Sequence, residues 1–474
     1  MRTFIKNFSS LAVADVGSRL IGFFATAYLA RILGVEKFGV INIGFTLLSY
    51  GMLATNPGIL LYATREVTTL KEHYSSFVGE VLSLRLFLSL VSFLILAVVV
   101  NVLFPSQEIF LIVVLFSLFL FPASFLLEWF FQARGEIQRI SISRIAGQFV
   151  YMGMLFRLVS SNESMHFVPL AWLCSGVVSS AILFFSYKKN IATVQLHFTI
   201  SSLFKKKGRW REILRLSFPI GLGTWLAQIG TNFPPLIIAF LLSEKEVGYY
   251  SAAYKIVFSI LVLDRIFFFL FYPIIIKTYH ESLEKLQTML SVSLKIVIAI
   301  ALPLCVGGTI LSHQIIAVIY GDGFEHAASI LEVVIWFAFL TIIHSTYAIG
   351  LIGIGKEKQF SRTMVIGTIA QMLLVIGGTY YFRSVGAAAG FVVGEGCTLA
   401  MMMFQFNNFV QVKLIHSFFR PIVASIGMFC VLFFIQSVPL VISIFLGCIV
   451  YMGLFYLIAG ITKQDIQILK ERFS

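Results

Sequence analysis

The sequence is poor in charged residues and in cysteine. Only 12% of its 474 residues are charged, which excludes an ordinary soluble domain. The five cysteines show neither paired spacing nor the spacing of metal ligands, so we expect them to be packing residues and we predict no metal site. They are Cys174, Cys305, Cys397, Cys430 and Cys448.

Catalytic motifs are also missing from the sequence. It contains no phosphate-binding glycine loop, no HExxH zinc pattern and no convincing nucleophile elbow. No polar segment is long enough to form a catalytic domain, and the longest predicted outer loop lies at about 312–327. We therefore expect a protein that is not an enzyme and that needs no cofactor.

Long hydrophobic runs are what the sequence has in abundance. Hydrophobic residues make up 59% of the chain, and the mean hydropathy is +0.94. Because a spanning helix needs about 20 apolar residues, we predict an all-α polytopic membrane protein with about fourteen transmembrane segments. The predicted spans are 9–32, 40–64, 80–104, 109–131, 141–160, 167–187, 214–242, 248–272, 289–311, 328–352, 362–382, 386–406, 416–436 and 439–460.

The basic residues test this topology. They concentrate in alternate loops, as expected when short basic loops stay in the cytoplasm, and both termini are then predicted to be cytoplasmic. This distribution explains most of the net charge of +13, with membrane lipid as the partner of the basic loops, so we expect no nucleic-acid binding. The longest basic connection, residues 188–213, divides the chain near its middle.

A weak repeat crosses that connection. LGVEKFGVINI at 33–43 resembles LSEKEVGYYSA at 242–252, and GEIQRIS at 135–141 resembles GKEKQFS at 355–361. Six predicted helices separate each pair, which indicates two parallel six-helix lobes related by a pseudo-twofold axis along the membrane normal. We predict an N-terminal lobe (1–187), a basic cytoplasmic linker (188–213), a C-terminal lobe (214–406), and two appended helices with a cytoplasmic tail (407–474).

Charged residues within the apolar segments are the candidates for function. Asp15 and Arg19 are four residues apart on one helical face, where they either line a cavity or neutralise each other between packed helices. The 209-residue offset of the first repeat maps Arg19 onto Gln228, and it maps Arg265 onto Asn56. This mapping suggests an asymmetric polar seam between helices one, two, seven and eight.

Other candidates interrupt these helices or place charge in further segments. Pro57 and the pair Pro234-Pro235 either kink the helices or provide broken backbone that flexes or meets a polar ligand. Arg85 and Arg144 either bind a ligand or extend to the predicted cytoplasmic interface. Glu395 is too short to reach an interface, so it takes up a coupling proton or hydrogen bonds a neighbouring helix. Two further candidates for coupling or gating are Asp264, beside Arg265, and Glu128.

The chain resembles the Wzx-type polysaccharide flippases of the multidrug/oligosaccharidyl-lipid/polysaccharide exporter superfamily. The similar stretches are YLARILGVEKFGVINIGFTLLSYGMLATNPGILLYATREV at 28–67 and IYGDGFEHAASIL at 319–331. The resemblance implies alternating-access transfer of undecaprenyl-diphosphate-linked oligosaccharide repeat units to the outer leaflet of the bacterial cytoplasmic membrane, for surface polysaccharides such as O-antigen.

The resemblance also implies roles for the candidate site residues and indicates partners. An anionic diphosphate needs a cationic passage, so Arg19 and Arg265 are the expected contacts. The resemblance leaves H⁺ or Na⁺ as the coupling ion and other polysaccharide-assembly membrane proteins as partners. Two alternatives stay open: a MATE-type multidrug exporter, which the cationic residues disfavour, and a membrane-bound glycan transferase, which the missing soluble domain disfavours.

Overall fold

The computed structural model describes residues 2–69, 74–190, 208–410 and 414–460, together with Thr462, Asp465 and Gln467. These residues form helices, and none of them forms a strand. The helices are α1 (Arg2–Ala54), α2 (Ile59–Thr69), α3 (Tyr74–Leu103), α4 (Gln107–Ser117), α5 (Leu120–Ser124), α6 (Glu128–Ala133), α7 (Ile137–Leu158), α8 (Phe167–Asn190), α9 (Arg209–Leu241), α10 (Glu244–Ile260), α11 (Val262–Glu281), α12 (Leu283–Ile310), α13 (Ser312–Tyr320), α14 (His326–Gly353), α15 (Glu357–Asn407), α16 (Leu414–Phe434) and α17 (Leu440–Leu457).

Two of the longest helices are interrupted within their length. Gly34 breaks α1 with φ 70° and ψ 173°, a conformation that glycine adopts without steric cost. Phe382 and Arg383 break α15, and Arg383 has φ 56°. Both breaks fall between pairs of predicted segments, where the sequence indicates short turns.

Within the described ranges, eight helical stretches are long and apolar enough to cross a membrane. They are 21–54, 74–103, 107–133, 162–189, 283–310, 326–353, 357–407 and 440–457, and two shorter apolar helices are 225–241 and 418–434. The prediction of an all-α polytopic membrane protein is confirmed. The number of spanning segments stays a prediction, because turns divide some predicted spans, such as 109–131 and 248–272, into shorter helices. The side of the membrane on which the termini lie also stays a prediction.

Helix α3 shows how these helices meet lipid. Leu90, Leu94, Val98 and Val102 recur every four residues and are 47%, 55%, 64% and 72% exposed. A continuous apolar face of this kind is unfavourable in water and suited to hydrocarbon. The other side of α3 packs inside the protein through residues such as Val81.

The described contacts divide the chain into two compact units. The first comprises Met1–Ala239 with Ser243–Gly248, and the second comprises Phe240–Leu242 with Tyr249–Ser474. Helix α9, predicted to open the second lobe, groups with the first unit as far as Ala239, and Trp210 and Ile213 near its start are buried in that unit's apolar core. Residues 191–207 of the predicted linker lie outside the described residues, and the predicted lobe boundaries stay a prediction.

The two halves of the first repeat meet inside the first unit. Gly39 lies so close to α10 that an added Cβ would stand 1.8 Å from the Glu244 carbonyl oxygen. A Cβ on Gly248 would stand 2.2 Å from the Val35 carbonyl oxygen. Gly39 and Gly248 are equivalent under the 209-residue offset, so the two matched stretches lie against each other here.

Candidate functional site

The first pair of predicted site residues lies where side chains are not described. Asp15 and Arg19 belong to the first part of α1, and the backbone there is helical. Their side chains lie outside the described residues. A role for Asp15 and Arg19 in substrate binding therefore stays a prediction.

A turn between α1 and α2 contains Asn56, Pro57 and Gly58. The Asn56 side-chain oxygen accepts a hydrogen bond from the Leu60 backbone N–H at 3.0 Å, so it caps the start of α2. Gly58 has φ +78°, and a Cβ there would stand 2.2 Å from the Ser217 carbonyl oxygen of α9. The predicted break at Pro57 is therefore present, and Asn56 helps to stabilise it.

The end of the first half-repeat packs against α9 beside Gln228. The Trp225 indole N–H donates to the Leu53 carbonyl at 2.8 Å, and the Tyr50 hydroxyl donates to the Ile229 carbonyl at 3.2 Å. The Gln228 side chain is exposed. Pro234 is buried, and α9 continues through it to Leu241. These hydrogen bonds place Gln228 beside the contact between α1 and α9.

Three other predicted residues of the first unit lie within its own packing. Arg144 forms a two-pronged ion pair with Glu128, with Nε–Oε1 at 2.8 Å and Nη2–Oε2 at 2.7 Å. Arg85 is only 3% exposed and donates from Nη1 to the Ser124 carbonyl at 3.0 Å, so it does not extend to the protein surface. Its Nε has no hydrogen-bond partner among the described residues. Glu128 is the charge that acts most directly on both arginines.

The second unit contains a buried polar cluster, which we name the His–Glu cluster: Asp264, Thr341, His344, Ser345 and Glu395. The His344 Nδ1 atom lies 2.7 Å from Glu395 Oε1, and both side chains are about one-tenth exposed. Thr341 donates to the same carboxylate oxygen at 3.4 Å. Asp264 interacts with the Ser345 hydroxyl and, electrostatically, with His344 and Glu395.

Helix periodicity and glycine packing explain this cluster. Thr341, His344 and Ser345 are spaced so that they share one face of α14. On α15, Gly390 and Gly394 allow the second half of the helix to press against the first, since a Cβ there would stand 2.3 Å from the Leu374 carbonyl oxygen and 2.6 Å from Gln371 Cα, respectively. Glu395 follows Gly394 directly, so it points away from this contact and towards α14.

Asp264 and Arg265 are neighbours in α11 that face different surroundings. Asp264 is partly buried and faces the His–Glu cluster, whereas Arg265 is exposed. A charged side chain in an apolar helix is costly at the centre of a bilayer, so such residues usually face a polar cavity or the interior of a bundle. Arg265 lies one residue from the cluster, and its role in binding an anion stays a prediction.

An apolar groove of about 490 Å³ lies between α12 and the last two helices. Its lining includes Leu304, Gly307, Met428, Gly447 and Met452. The adjoining contacts of Leu311, Met428, Leu432 and Tyr451 form a separate apolar core. A long hydrocarbon chain is the kind of ligand that such a lining favours.

Two parts of this site give no signal in the sequence. A single histidine in an apolar segment, such as His344 in IWFAFLTIIHSTYAIG at 335–350, does not by itself indicate a polar cluster. The groove depends on packing between helices that are more than a hundred residues apart. Among the described residues, no group of three or more histidine, cysteine, aspartate or glutamate side chains is arranged to hold a metal ion.

Comparison with known proteins places this architecture in a family. The polysaccharide biosynthesis protein family matches residues 4–278, which is more than half of the chain. The "Putative O-antigen transporter" of Escherichia coli (strain K12) is 22% identical over 422 residues, covering 85% of this chain and 97% of that protein.

Solved structures show the same fold. The lipid II flippase MurJ in an inward closed conformation has a TM-score of 0.75 and 18% identity, with 95% of this chain and 98% of that chain covered. An inward-facing MATE-family multidrug resistance transporter of the MOP superfamily has a TM-score of 0.64 and 17% identity, with 82% and 94% covered. At these identities the structures establish the fold alone. The resemblance seen in the sequence is confirmed, and this multi-pass membrane protein belongs to the polysaccharide biosynthesis protein family.

Proposed function

We propose that this protein is a flippase that moves undecaprenyl-diphosphate-linked oligosaccharide repeat units from the inner to the outer leaflet of the cytoplasmic membrane. The observation that carries the proposal is the family match over residues 4–278, together with alignment to nearly the whole length of the Escherichia coli relative. The MurJ-like fold supports it, since MurJ is described as a lipid II flippase. Alternating access would expose the headgroup passage to one leaflet at a time, for surface polysaccharide synthesis.

The diphosphate and the polyprenyl tail of the proposed cargo need different surroundings. The diphosphate requires cations, and we assign this contact to Arg19 and Arg265, with Asp15, Asn56 and Gln228 as polar neighbours. Arg85 and Arg144 are weaker candidates because Ser124 and Glu128 already engage them. Pro57 and Pro234 are assigned to gating, together with Glu128. We assign the polyprenyl tail to the apolar groove and to surrounding lipid.

The proposed transport makes and breaks no covalent bond of the cargo. An arginine contact and an apolar groove bind and orient a lipid-linked sugar, and neither supplies a nucleophile or an acid–base pair directed at it. We therefore propose that this chain is not an enzyme. Its proposed partners are the lipid-linked oligosaccharide, membrane lipid, a coupling H⁺ or Na⁺, and other membrane proteins of polysaccharide assembly.

Depletion of the protein in its host tests the proposed function. We expect a defined undecaprenyl-linked repeat unit to accumulate on the cytoplasmic side, where a membrane-impermeant sugar-binding probe added outside does not reach it. Re-expression of the protein should restore export. Accumulation of cationic dyes without any glycan would instead support the MATE-type exporter. Loss of a lipid-linked product, with its acceptor left unconsumed, would support the glycan transferase.

A prediction follows for the apolar groove. Gly307→Leu should weaken binding of undecaprenyl diphosphate by about tenfold or more, because each methylene excluded from an apolar site loses roughly 0.8 kcal/mol. A Cβ at Gly307 would stand 3.8 Å from the Met428 Cε atom, so the larger side chain enters the groove while its first carbon fits the helix packing. Binding can be measured by native mass spectrometry of the purified full chain.

The matched control for this groove variant is Gly453→Leu. Gly453 lies in α17, and an added Cβ there would have no atom within 4 Å. We expect this control to bind undecaprenyl diphosphate as the unchanged protein does. Equal binding by the Gly307→Leu variant would remove the groove from the proposed site.

A further inference from the structure

Lys295 is a charged residue inside a helix that is long and apolar enough to cross a membrane. It lies in α12, and its Nζ atom is 2.5 Å from Oδ2 of Asp465, which follows α17 in the chain. The two side chains are only 13% and 14% exposed. A charge in an apolar span is costly unless it is paired or reaches water, so Asp465 stabilises Lys295 in this position.

Asp465 is itself fixed by Thr462. Its Oδ2 atom accepts hydrogen bonds from the Thr462 backbone N–H and from the Thr462 hydroxyl, both at 2.8 Å. The Asp465 backbone N–H donates in turn to the Thr462 hydroxyl oxygen at 3.2 Å. This reciprocal arrangement is a capping box, which fixes the start of a helical turn. The carboxylate therefore has a set position, and the ion pair joins two points that are 170 residues apart in the sequence.

The ion pair lies on the face of α12 that borders the apolar groove. Residues spaced by four positions share one side of a helix, and here they are Lys295, Ala299, Pro303 and Gly307. Pro303 and Gly307 line the groove. The Ala299 carbonyl oxygen accepts a hydrogen bond at 2.7 Å from the hydroxyl of Tyr451, a lining residue from α17. Two polar contacts, one helical turn apart on α12, therefore lie at one end of the groove.

The opposite end of the groove has a polar contact of its own. The Gln314 side-chain amide donates to the carbonyl oxygen of Gln436, in the turn between α16 and α17. Gln314 directly precedes Ile315, which lines the groove. The pair of helices α16 and α17 is therefore hydrogen bonded to α12 and α13 at both ends of the groove.

Direct packing between α17 and α12 is limited. Helix α17 packs mainly against α16 and touches α12 and α13 at few points. Its residues Phe445 and Tyr456 are 67% and 85% exposed. In lipid, two helices gain little from the hydrophobic effect when they associate, so polar contacts contribute more to holding them together. Helix α16 fixes α17 on one side, and the polar contacts fix its distance from α12.

We propose that Lys295 and Asp465 are positioning residues that hold α17 close to α12 and keep the apolar groove narrow enough to select a single hydrocarbon chain. The groove of about 490 Å³ is bounded by both helices, so its width depends on their separation. A chain in a close-fitting groove gains dispersion contacts from both walls, and a gap of roughly 0.5–1 Å removes about a quarter to a half of that attraction. Without the ion pair, the groove widens and no longer prefers one chain to the paired chains of a phospholipid.

The two parts of this proposal depend on different assumptions. The identity of the single chain as a polyprenyl tail rests on the proposed function. The control of groove width by Lys295 and Asp465 does not, because it concerns the distance between two helices of this protein.

The first experiment measures selectivity by native mass spectrometry of the purified full chain, with undecaprenyl diphosphate and phosphatidylglycerol in competition. We expect the ratio of bound undecaprenyl diphosphate to bound phosphatidylglycerol to fall roughly fivefold or more in Lys295→Met and in Asp465→Asn, because the widened groove loses dispersion contacts with a single chain. Lys295→Arg should keep the ratio, since it keeps the ion pair. A variant that only unfolds in part would lower both bound forms together and leave the ratio unchanged.

A double variant and a matched control test whether the two residues act as a pair. Lys295→Met combined with Asp465→Asn should lower the ratio no further than either change alone, because both remove the same contact. The control is Lys285→Met in the same helix, which removes a lysine that is 58% exposed and paired with Glu281 at 3.3 Å. It should leave the ratio unchanged. A preference of the unchanged protein that survives Lys295→Met would overturn the proposal, as would additive effects of the two changes.

A distance measurement distinguishes this proposal from the cargo assignment. Spin labels at Leu283→Cys and Leu457→Cys, at neighbouring ends of α12 and α17, report the separation of the two helices once the three exposed native cysteines are replaced by alanine. Lys295→Met should lengthen and broaden the distance distribution with no cargo present. If the unchanged protein shows no preference for undecaprenyl diphosphate but the distance responds, the cargo assignment fails while the positioning role stands. Equal distances in the unchanged protein and in Lys295→Met would overturn the positioning role.

Discussion

Replacing Arg265 with alanine should reduce export of lipid-linked oligosaccharide at least tenfold without lowering the amount of protein in the membrane. Hydrogen bonds to a charged group contribute about 1.5–3 kcal/mol, and this range corresponds to roughly a tenfold to a hundredfold change in affinity. Because Arg265 is exposed, truncating it should leave the packing of α11 intact. Export is measured as surface glycan, and abundance as folded protein after detergent extraction.

Two companion variants identify what the arginine contributes. Arg265→Lys should recover only part of the export, because lysine keeps the charge and loses the planar two-pronged geometry that suits phosphate. Arg420→Ala should be mild, since Arg420 donates to the Ala459 carbonyl near the chain's C-terminal end. Normal export by the Arg265→Ala variant, at normal abundance, would remove Arg265 from the proposed diphosphate contact.

The sequence predicts most of the fold because the membrane restricts the possibilities. Runs of about 20 apolar residues in lipid must be helical, since every backbone polar group needs an internal partner. Gly34 and Arg383 mark turns between helices because the runs around them are too long for one span. The break between α10 and α11 at Leu261 is not predictable from the sequence, because Leu261 has no feature that sets it apart from the apolar residues around it.

The candidate site was only partly predictable from the sequence. Charged residues such as Glu395 and Asp264 stand out in apolar segments, so their selection requires no knowledge of packing. Glu395 meets His344 of the preceding helix, and Asp264 of α11 acts on both electrostatically, an arrangement about which sequence spacing carries no information. Likewise, the pairing of Glu128 with Arg144 follows from the turn between α6 and α7 and not from helical spacing.

The internal repeat is the one feature of the sequence that indicates which distant residues pack together. The 209-residue offset matches Gly39 with Gly248 from the sequence alone. In the structure, the backbone of Gly39 approaches Glu244 and Gly248, while Gly248 approaches Val35. Glycine is required on both sides of this contact because a Cβ would enter the space of a backbone oxygen, and backbone cannot move aside as a flexible side chain can.

Gly39→Ala should therefore be one of the most damaging small substitutions in the described part of the chain. The new Cβ would stand 1.8 Å from the Glu244 carbonyl oxygen, whereas carbon–oxygen contacts are normally no closer than roughly 3.3 Å. Separating the two helices would cost more than the 1–3 kcal/mol that is typical of an overfilled core. We expect a lower melting temperature in detergent and little export.

Gly153→Ala is the control that distinguishes a backbone clash from the ordinary effect of replacing glycine by alanine in a helix. Gly153 lies within α7, and an added Cβ there would have no atom within 4 Å. Alanine in a helix interior is favoured over glycine by about 1 kcal/mol, so this control should be neutral or stabilising.

Gly248→Ala should reproduce the Gly39→Ala defect, because its Cβ would meet the Val35 carbonyl oxygen at 2.2 Å. A stable, active Gly39→Ala protein would show that the two matched turns separate without loss, and the close contact would then have no part in holding the first unit together.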